Sequence, residues 1–400
     1  MAALEAMVEA HQKILEEEVH VKYIHLYETT IKFLQRESVL LYGGTAINSI
    51  LPVADKFYGV TELPDLDLFA TDAKLLATRL ANHFRGIRDM GQEVHAVTVR
   101  PALHPGTWRV KVDGADIADL TEVSIATFKK LQRNSRMGDI GLRVANIDYL
   151  RMTLYTLLAQ PVDVHRWLNV YERLGKFNKN FPIKFKPLQA KKKNILTKAR
   201  VAKETPTENV VISALKRHNL KYVVILDDAS LQKAGILENG VKSGVHGVFL
   251  LVEGDPRQAA QRLLTRLERA DYQVDSFRDA DEFVPASIVI RNHAGIVATL
   301  FATTPVCLSY SRPFEQKYGY RMVSLQTLIK MLYAMRFSTL FLSNAKTSAL
   351  IQSAMAFQDR HSDMVDLLST ECYGQQPRMF TLRKEQFLRN RRPIHTPRLS

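Results

Sequence analysis

Apolar positions recur at helical spacing from the start of the chain. Leu4, Met7, Val8, Ile14 and Leu15 alternate with carboxylates, and the pattern predicts an amphipathic helix over 4–37. Val39-Leu40-Leu41-Tyr42 is a short apolar run closed by Gly43-Gly44, as in a buried strand ending in a turn. Residues 45–51 read as one or two helical turns stopped at Pro52. A second strand over 66–70 is entered through Leu63-Pro64, and Asp72 stands where an N-cap belongs, ahead of a helix over 73–85. Further strands are expected over 94–99, 108–112 and 115–120, and helices over 146–160 and 164–177.

The chain then repeats itself. Residues 141–155 align without gaps with 319–333, sharing the Gly, the Arg, two Leu and the Tyr. Ile117-Ala-Asp-Leu120 aligns with Val297-Ala-Thr-Leu300, and 66–70 aligns with 248–252. An offset of 178–182 residues across three ordered segments points to duplication. The expected fold class is therefore α+β, with two tandem domains of mixed β-sheet and flanking helices. The expected division is 1–38 helical, 39–183 with the chemistry and a helical extension, 184–206 a basic linker, 207–375 the second domain, and 376–400 a basic tail. Asp65 and Asp67 face Gly247 and Phe249, Asp119 faces Thr299, and the diglycine falls near Asp227-Asp228. The second domain thus keeps the fold and loses the acids, which makes it degenerate.

Composition narrows the partners. A length of 400 residues suits two or three domains, and a net charge of +14 favours an anionic partner, nucleic acid first. The stretch 184–203 carries Lys191-Lys192-Lys193, and 378–398 carries seven basic residues against Glu385 alone. Both read equally as solvated basic segments or as tracks for phosphates. Cys307 and Cys372 are too few and too far apart for a disulfide framework or a zinc site, which suits a reducing compartment. No apolar run approaches about 18 residues, so neither a membrane span nor a membrane partner is expected. The acidic N-terminus lacks the basic and apolar regions of a signal peptide.

The candidate chemistry lies in the first half. Residues two apart on a strand share a face, so Asp65 and Asp67 present two carboxylates side by side among Leu66, Leu68 and Phe69. Like charges at that distance call for a cation, and hard cations take oxygen ligands. Gly43-Gly44-Thr45, between strand and helix, lets the backbone approach a phosphate, with helix-terminal amides and the Thr45 hydroxyl as donors. A third carboxylate comes from 115–120. Asp116 and Asp119 fall on opposite faces of a regular strand, so only one joins the site. The repeat favours Asp119, and a bulge would blur the choice. Tyr155, Arg166 and Trp167 lie on apolar helices and read first as packing groups, and second as the lining of a nucleotide or primer channel.

These motifs resemble a known family. The order Gly-Gly-Thr, Asp-x-Asp, strand Asp is similar to the polymerase-β-like nucleotidyltransferase superfamily. Tyr42-Gly-Gly-Thr-Ala-Ile-Asn48, Asp65-Leu-Asp67-Leu-Phe69 and Ile117-Ala-Asp-Leu-Thr121 resemble the poly(A) polymerase catalytic subunits of large DNA viruses. So does the run from Arg151-Met-Thr-Leu-Tyr155 through Pro161, Arg166-Trp167 and Arg173-Leu174 to Asn178-Lys179 and Pro182. The resemblance covers roughly 10–185, and beyond that only the two-halved architecture. It implies a template-independent polymerase that adds AMP from ATP to RNA 3′ ends. Asp65, Asp67 and Asp119 would hold Mg²⁺ or Mn²⁺, with Asp119 also as general base. Gly43, Gly44 and Thr45 would bind the triphosphate. It implies an RNA 3′ end and ATP as partners, a second copy or a processivity subunit as further partners, and the cytoplasm of an infected cell or the virion as location. The gap from Thr45 to Asp65 is long for the superfamily and implies an inserted loop around 55–62. The rival readings are a nucleotidyltransferase acting on tRNA or a small molecule, and a non-catalytic RNA-binding relic.

Overall fold

The computed structural model describes residues 23–59, 62, 64–89, 94–183, 209–267, 271–303, 307–338, 343–361, 368–375 and 379–391. Residues 4–22 of the expected first helix, the basic stretch 184–206 and the last residues of the tail lie outside them. Two compact units emerge among the described residues: 23–150 with 379–391, and 151–375.

The first unit begins with helix α1 (23–34) and continues β1 (Leu40–Tyr42), α2 (Gly43–Ile50), β2 (Leu66–Ala70), α3 (Ala73–Asp89), β3 (Val97–Pro101), β4 (Thr107–Val112), β5 (Ala115–Glu122), α4 (Ile125–Gln132), β6 (Arg136–Met137), β7 (Arg143–Val144) and the start of α5 (Ile147–Leu158). Asp72 Oδ1 accepts from the Leu75 amide at 3.1 Å, as a cap for α3 should, and Ser124 caps α4 in the same way. The strands form one mixed sheet in the order β3-β4-β5-β2-β1-β7-β6, parallel at β2–β5 and β1–β7 and antiparallel elsewhere. β2 is therefore central. Its Leu66 and Leu68 are fully buried, which leaves Asp67 and Phe69 on the opposite face. Ala77, Leu80 and Phe84 of α3 are fully buried where that helix covers β3, β4 and β5.

The second unit runs from the rest of α5 through α6 (Trp167–Asn180), α7 (Val210–Arg217), β8 (Val223–Leu226), α8 (Asp228–Lys233), β9 (Val248–Val252), α9 (Pro256–Leu267), β10 (Gln273–Arg278), β11 (Ser287–Asn292), β12 (Gly295–Ala302), β13 (Leu308–Ser309), α10 (Arg312–Tyr318), β14 (Arg321–Met322), α11 (Leu325–Ser338) and α12 (Asn344–Arg360) to β15 (Cys372–Tyr373). Its main sheet is β10-β11-β12-β9-β8-β14. Strand for strand this is β3-β4-β5-β2-β1-β7, with the same parallel and antiparallel senses. The duplication extends to an irregularity. The β4–β5 register slips between Val110 and Lys111, leaving Ile117 unpaired, and the β11–β12 register slips between Ile290 and Arg291, leaving Val297 unpaired. These two residues are aligned in the sequence repeat.

Two features differ from expectation. Cys307 and Cys372 form a disulfide, Cα–Cα 5.4 Å, at the small β13–β15 ribbon. Sequence separation hid a pairing that the fold creates. The basic tail contains helix α13 (Met379–Arg391), which returns to the edge strand β3. Gln386 and Arg389 donate to the carbonyls of Pro101, Ala102 and Leu103, so these basic-tail side chains supply partners for main-chain groups that a sheet edge leaves open.

Candidate active site

Pairing across the first sheet sets one row of side chains on a single face. Tyr42 of β1 stands opposite Asp67 of β2, Asp67 opposite Asp119 of β5, Asp119 opposite Arg109 of β4, and Arg109 opposite Arg100 of β3. Asp65, two residues before Asp67, joins them at the start of the strand. One oxygen from each of Asp65, Asp67 and Asp119 lies within 4.8 Å of the others. Three converging carboxylates make an all-oxygen donor set, which fits Mg²⁺ or Mn²⁺.

Asp116 is not part of this group, yet it is close by. The slipped register cancels the face alternation between 116 and 119, so both reach Arg109. Arg109 Nε and Nη2 donate to the two oxygens of Asp119 at 2.7 and 2.6 Å, and Nη1 donates to Asp116 at 2.7 Å. The expectation that the two aspartates lie on opposite faces therefore fails, because it assumed a regular strand. The hydrogen bond to Asp119 is the main reason the Arg109 guanidinium holds its proton even more firmly than usual. Burial, then Asp119, pushes the Asp65 carboxyl above the ordinary carboxylate range, while Arg109 pulls it down.

The diglycine is built against the acids. Gly43 has φ +74°, and a Cβ there would lie 2.3 Å from Asp67 Oδ2. Only glycine fits this close approach. The helix starts at Gly43 itself, two residues earlier than the sequence pattern suggests, and Tyr42 gives it no side-chain cap. The first amides of α2 thus sit at a helix N-terminus beside the carboxylates. Thr45 is buried, and its hydroxyl donates to the Asp65 carbonyl at 2.9 Å. It fixes the entry to β2. The loop after α2 is held by Asn48, whose Oδ1 accepts from the amides of Phe57 and Tyr58. Part of the stretch expected as an inserted loop is therefore pinned; residues 60, 61 and 63 lie outside the described ones.

Aromatic rings back the site. Tyr42 stacks on Phe69 at 3.9 Å, and Tyr149 meets Phe69 edge-on at 5.5 Å. Burial, and then the Asp67 charge, raises both phenols well above their usual range. Arg109 and Tyr149 were not singled out from sequence. A regular hairpin about Asp113-Gly114 would set Arg109 opposite Ala118; only the slip at Ile117 brings it across from Asp119, so alternation carried no signal for it. Tyr149 carried no signal either. Tyr155 and Trp167 are packing groups: the Tyr155 hydroxyl donates to Gln358 at 3.0 Å and the Trp167 indole to the Leu157 carbonyl at 3.0 Å. Arg166 is half exposed beside Asp163.

The second unit shows what the site is not needed for. Its equivalent row is Leu226, Phe249, Thr299, Val289 and Ser276. Gly247, at the Asp65 position, has φ +73°, and a Cβ there would sit 2.5 Å from the Val297 carbonyl oxygen, so the fold leaves no room for a carboxylate. At the diglycine position Asp227 caps α8, its side chain accepting from the Ser230 amide. A carboxylate there takes up the Ser230 amide and puts a negative charge where an anion would sit.

Comparison with known proteins agrees with the motifs. Residues 28–164 match the family described as the poly(A) polymerase catalytic subunit. The fold is similar to the crystal structure of the Megavirus polyadenylate synthase, with a TM-score of 0.68 at 15% identity, covering 96% of this chain and 82% of that one. No curated protein sequence matches the chain significantly.

Proposed function

We propose, starting from the match of 28–164 to the poly(A) polymerase catalytic subunit family, that this chain adds AMP from ATP to RNA 3′ ends without a template. The observation that carries the reading is the convergence of Asp65, Asp67 and Asp119 beside Gly43. These three carboxylates would hold the divalent cations, Mg²⁺ or Mn²⁺. When bound, such cations neutralise charge growing on the α-phosphate and on the leaving pyrophosphate. The uncapped amides at the start of α2, from Gly43, Gly44 and Thr45, receive the triphosphate. The Thr45 hydroxyl contributes by holding Asp65 in place. Asp119 takes the proton from the primer 3′-OH, and an Asp119→Asn chain that kept full AMP transfer would remove that role.

The net charge of +14 suits an RNA substrate better than a small molecule. Incubation with each labelled nucleoside triphosphate and an oligo(A) or oligo(U) primer tests the proposal. A ladder with ATP is expected. A single addition points to another nucleotidyltransferase, and no addition to a relic; either overturns it.

A further inference from the structure

Asp119 presents both of its oxygens to one guanidinium. The fork from Arg109 Nε and Nη2, at 2.7 and 2.6 Å, fixes the carboxylate in plane. Asp119 is at the same time one of the three converging carboxylates. A divalent cation drawing on Asp119 therefore meets a positive charge already seated on the same oxygens, and two such charges a few ångströms apart repel.

The structure also provides a second seat. Arg109 Nη1 donates to Asp116 Oδ2 at 2.7 Å, and Lys111 holds the other oxygen of Asp116 at 2.6 Å. The register slip at Ile117 sets Asp119 opposite Arg109, on the same face as Asp116, so one guanidinium spans both carboxylates. In the second unit the slip persists, but Val289 replaces the arginine, Thr299 replaces Asp119 and Ile296 replaces Asp116. The duplicated sheet keeps its strand order and its bulge without any of the three. The trio is thus not required to build the sheet, and it is absent where the carboxylate site is absent.

We propose that Arg109 is a positioning residue with two seats. On Asp119 it orients the carboxylate and opposes a cation. Swung onto Asp116 alone, it frees an Asp119 oxygen for the cation. The inference rests on the reading of Asp65, Asp67 and Asp119 as the cation site.

Mn²⁺ binding to the full chain, followed by electron paramagnetic resonance without ATP or RNA, tests it. Arg109→Gln removes the competing charge and should bind Mn²⁺ about tenfold more tightly. Asp116→Asn removes the second seat, keeps Arg109 on Asp119, and should bind Mn²⁺ several-fold more weakly. Loss of either charge shifts the affinity in these directions through space alone, so both shifts are measured again at high salt, which screens a through-space effect and spares a charge seated directly on the carboxylate; shifts that vanish at high salt overturn the inference. Unchanged or weaker binding by Arg109→Gln, or unchanged or tighter binding by Asp116→Asn, overturns the inference. Asp116 lies at the surface, so that variant decides the matter if Arg109→Gln fails to fold. Wild-type chain that binds no Mn²⁺, or an Asp67→Asn chain that binds it as well as wild type, removes the underlying site reading and the inference with it.

Discussion

At Gly43 one missing methyl group decides whether Asp67 keeps its place. A Cβ would fall 2.3 Å from the carboxylate, so Gly43→Ala must displace either α2 or Asp67. A shift of about 1 Å at a reacting centre costs about 100-fold in rate. Gly43→Ala should lose at least that much AMP transfer while circular dichroism stays unchanged; near-wild-type activity would show that the close approach is not needed. Asp65 makes a second statement testable. Its carboxyl is held above the ordinary range by burial and by Asp119, so it picks up a proton earlier on acidification. Cation binding must displace that proton. Affinity for Mn²⁺ should fall as the pH drops through the raised value and recover above it, and Asp65→Asn should flatten the curve. An affinity that ignores pH between neutral and mildly acid solution contradicts this. For the fold without added cation the sign is reversed: a raised carboxyl costs least when protonated, so this group's contribution to stability improves as the pH falls. Asp65, Asp67 and Gly43 were legible because strand alternation and a diglycine are local patterns. Thr45 stood out as a candidate beside the diglycine, but its bond to the Asp65 carbonyl depends on two segments meeting in space.

Elements were most legible where one face is buried and least legible where the backbone departs from regularity. β2 lies where alternation places it, and α3 begins at the Asp72 cap. The slip at Ile117 has no composition signature, and so the relation of Asp116 to Asp119 could not be read from alternation. The disulfide was hidden for a related reason: Cys307 and Cys372 are 65 residues apart, and only the β13–β15 pairing brings them together. Closing a loop of that length stabilises a fold by at most about 4 kcal/mol in the chain-entropy account. Protein purified without reductant should show no titratable thiol after unfolding, and adding reductant should lower the melting temperature. Two free thiols per chain would contradict the bond.

Across the whole molecule, the repeat in the sequence becomes two sheets of one topology with different chemistry on the equivalent row. Tyr42, Asp67, Asp119 and Arg109 in the first correspond to Leu226, Phe249, Thr299 and Val289 in the second. The proposed function therefore places the chemistry in the first unit. Near-constant offsets made the duplication readable, but only the registers show that the row was replaced as a set. The charge of +14 belongs to this scale too. RNA binding should weaken steeply with salt, with a log–log slope of roughly −0.7 per phosphate contacted on a single strand. A salt-independent affinity would argue against RNA as the partner. The most direct measurement is the anomalous diffraction of crystals grown with Mn²⁺ and a non-hydrolysable ATP analogue. The account predicts Mn²⁺ peaks among Asp65, Asp67 and Asp119, with the triphosphate against the amides of Gly43 and Gly44 and none in the second unit. Mn²⁺ bound elsewhere, or a triphosphate seated away from Gly43-Gly44, would contradict it.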